Sequence, residues 1–231
     1  MIYFVNGRPG GGKSLTTAEI IYKALKKGKH VIANFEINMD YFAKCRHPEK
    51  LGRFIHVDNY GWTENGYRNI AASEKIFSYI DGLYGFAFNF NTKRDKKGRM
   101  KEHQSLVVLD ECADLFNSRT YNKRDRLAWC KFFRQHRKLG YDVYLVAQDD
   151  HDVDKQIREL LMKEWECRSV GSMKVFGKIL ALLCGGTLFV RIKRDYSLKS
   201  GTRSKKQAKE YAQYFTGRKY FDFYDSYKLF G

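Results

Sequence analysis

Ile2-Tyr3-Phe4-Val5-Asn6-Gly7-Arg8-Pro9-Gly10-Gly11-Gly12-Lys13-Ser14 decides the reading of this chain. Ile2 to Val5 is a short apolar run of the kind that forms a buried strand. Gly7 to Ser14 fits G-x-x-x-x-G-K-[ST], the P-loop pattern. Glycines let backbone N–H groups curl around phosphate oxygens that a side chain would hold away. The N-terminus of the next helix adds partial positive charge. In this pattern Lys13 reaches the β- and γ-phosphates and the Ser14 hydroxyl ligates Mg²⁺. Gly7, Arg8, Pro9, Gly10, Gly11, Gly12, Lys13, Ser14 and Leu15 are the expected contacts of a nucleoside triphosphate. A chance Gly-rich turn would not be followed by a helix. Here Leu15, Ala18, Ile21, Tyr22 and Leu25 have helical spacing, Lys26 and Lys27 suit the C-terminus, and Gly28 suits the end cap.

The partner of this loop is Leu106-Val107-Val108-Leu109-Asp110-Glu111. Its apolar residues bury a strand, and Asp110 emerges at the carboxyl end, where ligands sit in open parallel sheets. Asp110 is expected in the Mg²⁺ shell, as a Walker B aspartate. Glu111 is placed to orient or deprotonate an attacking water. A further buried strand, Val143 to Ala147, ends at Gln148, whose amide is placed to contact the γ-phosphate or water.

Strands are also expected over His30–Phe35 and Arg53–Val57, and helices over Ala71–Ile80, Arg126–Leu139 and Asp152–Met162. Residues 58–69 read as a loop, and the basic stretch 91–104 as an exposed hairpin tip or mobile loop. Alternating strands and helices predict an α/β fold, a mostly parallel sheet with helices on both faces. The expected division is a P-loop ATPase core over 1–170 and a C-terminal extension over 171–231, packed on the same domain. The apolar stretch Ile179–Val190 is interrupted by Gly185-Gly186. It reads as a β-hairpin, in preference to a membrane-dipping segment. In the basic, aromatic tail from Tyr211 to Phe230, a strand packing Phe221 and Phe223 inward is preferred over stacking on single-stranded bases.

The formal net charge is +17, an excess that attracts polyanions. Five cysteines without CxxC spacing argue against structural zinc and a disulfide framework, and for reduced thiols in a cytosol. No leader and no apolar run long enough for an ordinary membrane span is read. Between Arg119 and Lys138 basic residues dominate. Lys123, Arg126, Arg134, Arg137 and Lys138 share one side of a helix, opposite Ala128, Trp129, Phe132 and Phe133. That array suits DNA phosphates, or supplies an arginine finger to a neighbouring subunit's nucleotide; Arg134, Arg137 and Arg158 are the candidates. Asn122-Lys123-Arg124-Asp125 matches a guanine-reading motif but follows no buried strand. It reads better as a helix start with Asn122 or Asp125 as cap.

Taken in order, GRPGGGKS (7–14), LVVLDE (106–111), FFRQHRKLGYDVYLVAQDDHDVDKQIREL (132–160) and FYDSYKLFG (223–231) resemble the Zot-type ATPase domain of filamentous-phage assembly proteins. The resemblance covers most of residues 1–170 and thins beyond. It implies a motor of the RecA-like FtsK/HerA type, with an additional strand between the two Walker strands. It implies a homo-oligomeric ring, often a hexamer, using ATP and Mg²⁺ at the cytoplasmic face of the host inner membrane. Its implied partners are single-stranded DNA or phage nucleoprotein, and phage assembly and membrane proteins. Lys13, Ser14, Asp110 and Glu111 keep the expected types, and Gln148 matches the polar sensor position. One departure is that such proteins usually continue through a membrane span, whereas this chain stops at Gly231. It is therefore expected to be truncated or to reach the membrane through a partner. Two other readings stand beside the motor: a small-molecule kinase, which Asp110-Glu111 disfavours because such a Glu serves water, and a nucleotide-binding adaptor without turnover.

Overall fold

A computed structural model describes residues 1–57, 60–63, 66–69, 82–116, 123–172, 175–185, 187–197 and 209–224. Strand β1 (Ile2–Asn6) runs into helix α1 (Lys13–Lys26), followed by β2 (His30–Ala33) and β3 (Phe54–His56). Next come a small hairpin of β4 (Tyr60–Thr63) and β5 (Gly66–Asn69), and helix α2 over 82–90. Then follow β6 (Ser105–Leu109), α3 (Lys123–Gln135), β7 (Tyr141–Val146) and the single turn α4 (Lys155–Arg158). The chain continues through β8 (Lys163–Ser169), α5 (Val175–Leu183), β9 (Phe189–Asp195) and β10 (Lys209–Phe215).

Among the described residues the main sheet has eight strands in the order β10-β9-β8-β1-β7-β6-β2-β3. The pairs from β8 through β3 are all parallel. β9 runs antiparallel to β8, and β10 antiparallel to β9. The additional strand between the Walker strands is therefore β7, paired to β1 on one side and β6 on the other.

Period-two alternation along β6 divides the core. Val107 and Leu109 face the cluster built on α2 and α3, with Trp129, Phe132 and Phe133; Leu106 and Val108 face α1. Helices thus cover both faces, as expected. The α1 face is completed by Tyr220, Phe223 and Tyr224 from the far end of the chain, with Tyr22 edge-on to Phe223.

Several sequence expectations are corrected. Residues 58–69 contain the β4–β5 hairpin rather than a loop. The expected helix over 152–162 is reduced to α4, capped by Asp154. Met162 then donates its N–H to Ile2 and the chain enters β8 beside β1. The Gly-Gly hairpin does not form. Ile179 to Leu183 lies in α5, because its Leu and Ala residues favour helix. Gly185 (φ 71°) closes that turn by donating to the Leu182 carbonyl. Phe223 is fully buried as expected, but on a turn rather than a strand, and Phe221 is exposed. Asp125 lies inside α3 and does not cap it; Asn122 lies outside the described residues, as does the expected helix over 71–80. Stretch 91–104 does form a hairpin tip, with Arg94 bridged to Met100 around a turn in which Asp95 accepts from Lys97 and Arg99.

The β8–β9 end of the sheet buries ion pairs. Arg191 pairs with Glu19 of α1 at 2.6 Å while its guanidinium lies over the Trp165 and Phe215 rings. Burial alone would raise the Glu19 pKa, but the bonds from Arg191 and Lys23 outweigh it and lower it. Its stabilising contribution is therefore present above the ordinary glutamate pKa, about 4.3, and lost as pH falls through the lowered value. Wild type should exceed Glu19→Gln in urea midpoint at pH 7, with the gap shrinking on acidification to pH 3. An unchanged gap would remove the pair from the acid response. Phe132→Ala should cost about 3–5 kcal/mol in urea unfolding, since this fully buried ring packs on Trp129 and Tyr84.

Candidate nucleotide site

The chain leaves β1 at Asn6 and must turn into α1 while staying tight against β8. A Cβ on Gly7 would lie 2.2 Å from the Cys167 carbonyl oxygen, so only glycine lets the loop start there. Gly12, the N-cap of α1, is left-handed (φ 92°), and no side chain caps the helix. The loop closes on itself through the Gly11 N–H to the Arg8 carbonyl, at 2.9 Å. No acidic residue occupies the first turn of α1, so its N-terminal N–H groups and dipole remain for an external anion. Lys13 opens α1 and donates from Nζ to the Gly7 carbonyl at 2.9 Å, which holds the ammonium over the loop. Ser14 follows on the same turn; Leu15 packs in the α1 core; Arg8, Pro9 and Gly10 are exposed. The loop fits a phosphate group.

Asp110 and Glu111 leave β6 beside this loop. Asp110 is nearly buried, and its backbone is clamped on both sides by the Asn34 amide. Asn34 Nδ2 donates to the Asp110 carbonyl, and the Asp110 N–H donates to Asn34 Oδ1, each at 2.8 Å. The carboxylate accepts from the Glu111 N–H at 2.9 Å and from the Tyr224 hydroxyl at 2.5 Å. Each oxygen keeps a further acceptor direction, so the group suits a hard cation or its water shell. Burial pushes the Asp110 pKa up, against the Tyr224 and Glu111 hydrogen bonds and the Lys13 charge. Glu111 is half-buried and left-handed (φ 45°), which turns its side chain off the strand direction. Burial and the Asp110 charge raise its pKa, against Lys13. A raised pKa makes a carboxylate a stronger base at neutral pH.

Gln148 follows β7 and is exposed. It lines a cleft of about 590 Å³ together with Arg8, Pro9, Asp149, Glu164 and Arg194. Glu164 is buried there, accepting from Asn6 Nδ2 at 2.8 Å and facing Arg194 at 3.6 Å. Arg158 is tied to the turn that follows Gln148, with Nη1 donating to the Asp150 carbonyl at 3.3 Å and lying 2.9 Å from His151 Nδ1. The other two finger candidates are not brought to this chain's own loop. Arg134 is exposed in the last turn of α3, and the chain then enters β7 from the sheet edge opposite the loop. Arg137, beyond it, forms a two-pronged pair with Glu102 at 2.9 and 3.0 Å. Lys131 and Lys138 are also exposed on this side, while Trp129, Phe132 and Phe133 are buried; side chains 123–126 lie outside the described residues.

Asn34 and Tyr224 escaped the sequence reading. Asn34 directly follows the β2 run, at the same sheet edge as the Walker strands, and that position was its one available signal. Nothing local marks Tyr224, which lies 114 residues from the carboxylate it touches.

A family model described as Zonular occludens toxin (Zot) matches residues 1–183. The chain belongs to the Zot family. Among its relatives are the Gene 1 protein of Enterobacteria phage I2-2, 28% identical over 190 residues, covering 81% of this chain and 46% of that protein. The Gene 1 protein of Escherichia phage If1 is 25% identical over 232 residues, covering 99% of this chain and 59% of that protein. The chain thus spans about half the length of the curated relatives it matches. In fold it is similar to the N-terminal domain of zonular occludens toxin from Neisseria meningitidis (TM-score 0.52, 15% identity, 97% of this chain and 98% of that one). It is also similar to B204, the DNA-packaging ATPase of Sulfolobus Turreted Icosahedral Virus (TM-score 0.50, 15% identity, 85% and 92%). The Zot-family chain therefore carries the P-loop NTPase fold expected from its first residues.

Gly7→Ala forces a methyl group into the Cys167 carbonyl from a backbone angle side chains avoid (φ 146°). It should destabilise the fold by more than about 1 kcal/mol and weaken binding of a fluorescent ATP analogue at least about tenfold. Wild-type affinity with an unchanged thermal midpoint would show that the loop does not hold the phosphates.

Proposed function

We propose that this chain is the ATP-hydrolysing motor of filamentous-phage virion assembly, which drives extrusion of single-stranded DNA at the cytoplasmic face of the host inner membrane. One observation carries the hydrolytic part. The uncapped loop with Lys13 and the Asp110–Glu111 pair meet at one sheet edge, with β7 and Gln148 between them. Membership of the Zot family and likeness to Gene 1 proteins of filamentous phages support the assembly role. The basic charge, +17, supports a polyanionic cargo.

In this reading the loop N–H groups from Gly7 to Ser14 and the dipole of α1 hold the phosphates. Lys13 leaves the Gly7 carbonyl to neutralise the β- and γ-oxygens. Ser14 and Asp110 hold Mg²⁺, which when bound neutralises charge developing on the transferred phosphoryl group. Glu111 orients the attacking water and takes its proton, helped by its raised affinity for protons. Gln148 contacts the γ-phosphate or that water from the end of β7. Arg134, Arg137 and Arg158 are the candidates to reach a neighbouring copy's nucleotide within a ring, most simply a hexamer. Arg137 would first have to release Glu102.

The test is steady-state ATP hydrolysis with and without single-stranded DNA, beside Glu111→Gln. Turnover should rise with DNA and fall about 10²–10⁴-fold in the variant. ATP binding without hydrolysis under any DNA condition would leave an adaptor, and a monomer in light scattering with ATP, Mg²⁺ and DNA would remove the ring.

A further inference from the structure

The turn over residues 221–224 reaches the carboxyl end of β6, where Asp110 sits. Tyr220, Phe223 and Tyr224 sit in the α1 core, and the Phe223 carbonyl accepts the Asn38 N–H at 2.9 Å. Phe223 is fully buried and packs edge-on to Tyr22, Tyr41 and Phe42. These contacts fix the turn from which Tyr224 extends. The Tyr224 ring then packs on Phe35, centroids 4.1 Å apart, and its hydroxyl donates to Asp110 Oδ2 at 2.5 Å. Phe35 follows Asn34, the residue whose amide clamps the Asp110 backbone. The end of β2 and the C-terminal segment thus hold one aspartate from two directions, backbone and side chain.

We propose that Tyr224 is a positioning residue for the metal site, fixing the Asp110 carboxylate so that its remaining acceptor directions face the P-loop. The inference rests on the reading of Asp110 as a Mg²⁺ group. A carboxylate with a single hydrogen bond, from the neighbouring Glu111 N–H, would be free to rotate about its terminal torsion, which has broad energy wells. The Tyr224 hydroxyl removes that freedom before any cation arrives. Outer partners of this kind typically account for 10–100-fold in metal affinity. The C-terminal segment becomes in this way part of the site although it lies outside both Walker motifs. Any movement of the segment off α1 would loosen the metal group without touching the loop.

The test is Mn²⁺ titration by electron paramagnetic resonance on the full chain with a non-hydrolysable ATP analogue, for wild type, Tyr224→Phe and Asp110→Asn. Tyr224→Phe keeps the ring on Phe35 and removes only the hydroxyl; its thermal midpoint and its metal-free affinity for a fluorescent ATP analogue serve as controls. The expected result is Mn²⁺ affinity about tenfold weaker in Tyr224→Phe, with both controls near wild type, and a matching rise in the Mg²⁺ needed for half-maximal hydrolysis. Unchanged Mn²⁺ affinity in Tyr224→Phe, with a loss in Asp110→Asn, overturns the positioning role and leaves the metal reading intact. Tighter Mn²⁺ binding in Tyr224→Phe also overturns it, because the hydroxyl would then be obstructing the site. If Asp110→Asn binds Mn²⁺ as wild type does, the reading of Asp110 itself fails.

Discussion

The parallel pairing of β1 between β7 and β8 is the constraint on which the rest of the site depends. Phe4 lies opposite Leu145 on one side and Glu164 on the other. Parallel strands point their carboxyl ends the same way, so pairing alone brings Gly7, Asp110, Gln148 and Cys167 to one edge. Sliding a strand by one residue would exchange the side chains it presents to the α1 layer with those it presents to the α2–α3 layer. The register is held because β1, β6 and β7 carry apolar side chains toward both faces, where α1 and the α2–α3 layer cover them. The phosphate loop inherits its position from that register. Its close passage over the Cys167 carbonyl shows how little room remains between loop and sheet.

The other half of the sheet is held differently. Glu164, Glu166, Arg191 and Arg194 put charges into β8 and β9, where an apolar strand would be the simpler solution. A buried ion pair gains little net stability over apolar residues, because desolvation offsets the attraction, but removing one partner leaves an uncompensated charge. Such pairs therefore enforce matching: Arg194 meets Glu164 and Glu166 in the antiparallel register of β8 with β9. The Arg191–Glu19 pair ties that edge to α1, the helix whose N-terminus faces the loop. The walls of the cleft beside the loop, Glu164 and Arg194 among them, come from these same pairs.

Asp110 joins two kinds of support. Its main chain is fixed by Asn34, a neighbour across the sheet, and its carboxylate by Tyr224, a residue from the far end of the chain. Glu111 sits in a left-handed conformation one residue later, at a cost of about 1–2 kcal/mol that the surrounding hydrogen bonds must hold. The Cys112 N–H returns at once to the Val146 carbonyl of β7. The two acids are thus held on a tight corner between paired strands rather than on a free loop.

Elements whose signals are local were legible in the sequence. The P-loop needs glycines at fixed places, β6 and β7 are apolar runs, and α1 and α3 repeat their apolar residues at helical spacing, so the positions of Lys13, Ser14, Asp110 and Glu111 on the fold could be read with it. Tertiary structure decided what depends on partners. β8 (KEWECRS) looks polar until Arg194 answers its glutamates. Ile179–Leu183 is apolar enough for either a strand or a helix, and the end of the turn at Gly185, whose carbonyl accepts from Arg218, goes with the helix. Arg137 carries the same charge as the other finger candidates, but only the fold shows it paired with Glu102. Tyr224 lies in an aromatic tail with nothing local to single it out; its role arises because packing on α1 carries it to a carboxylate far away in sequence. Backbone geometry and hydrophobic period are properties of neighbouring residues, whereas the pairing of buried polar groups is a property of the assembled sheet.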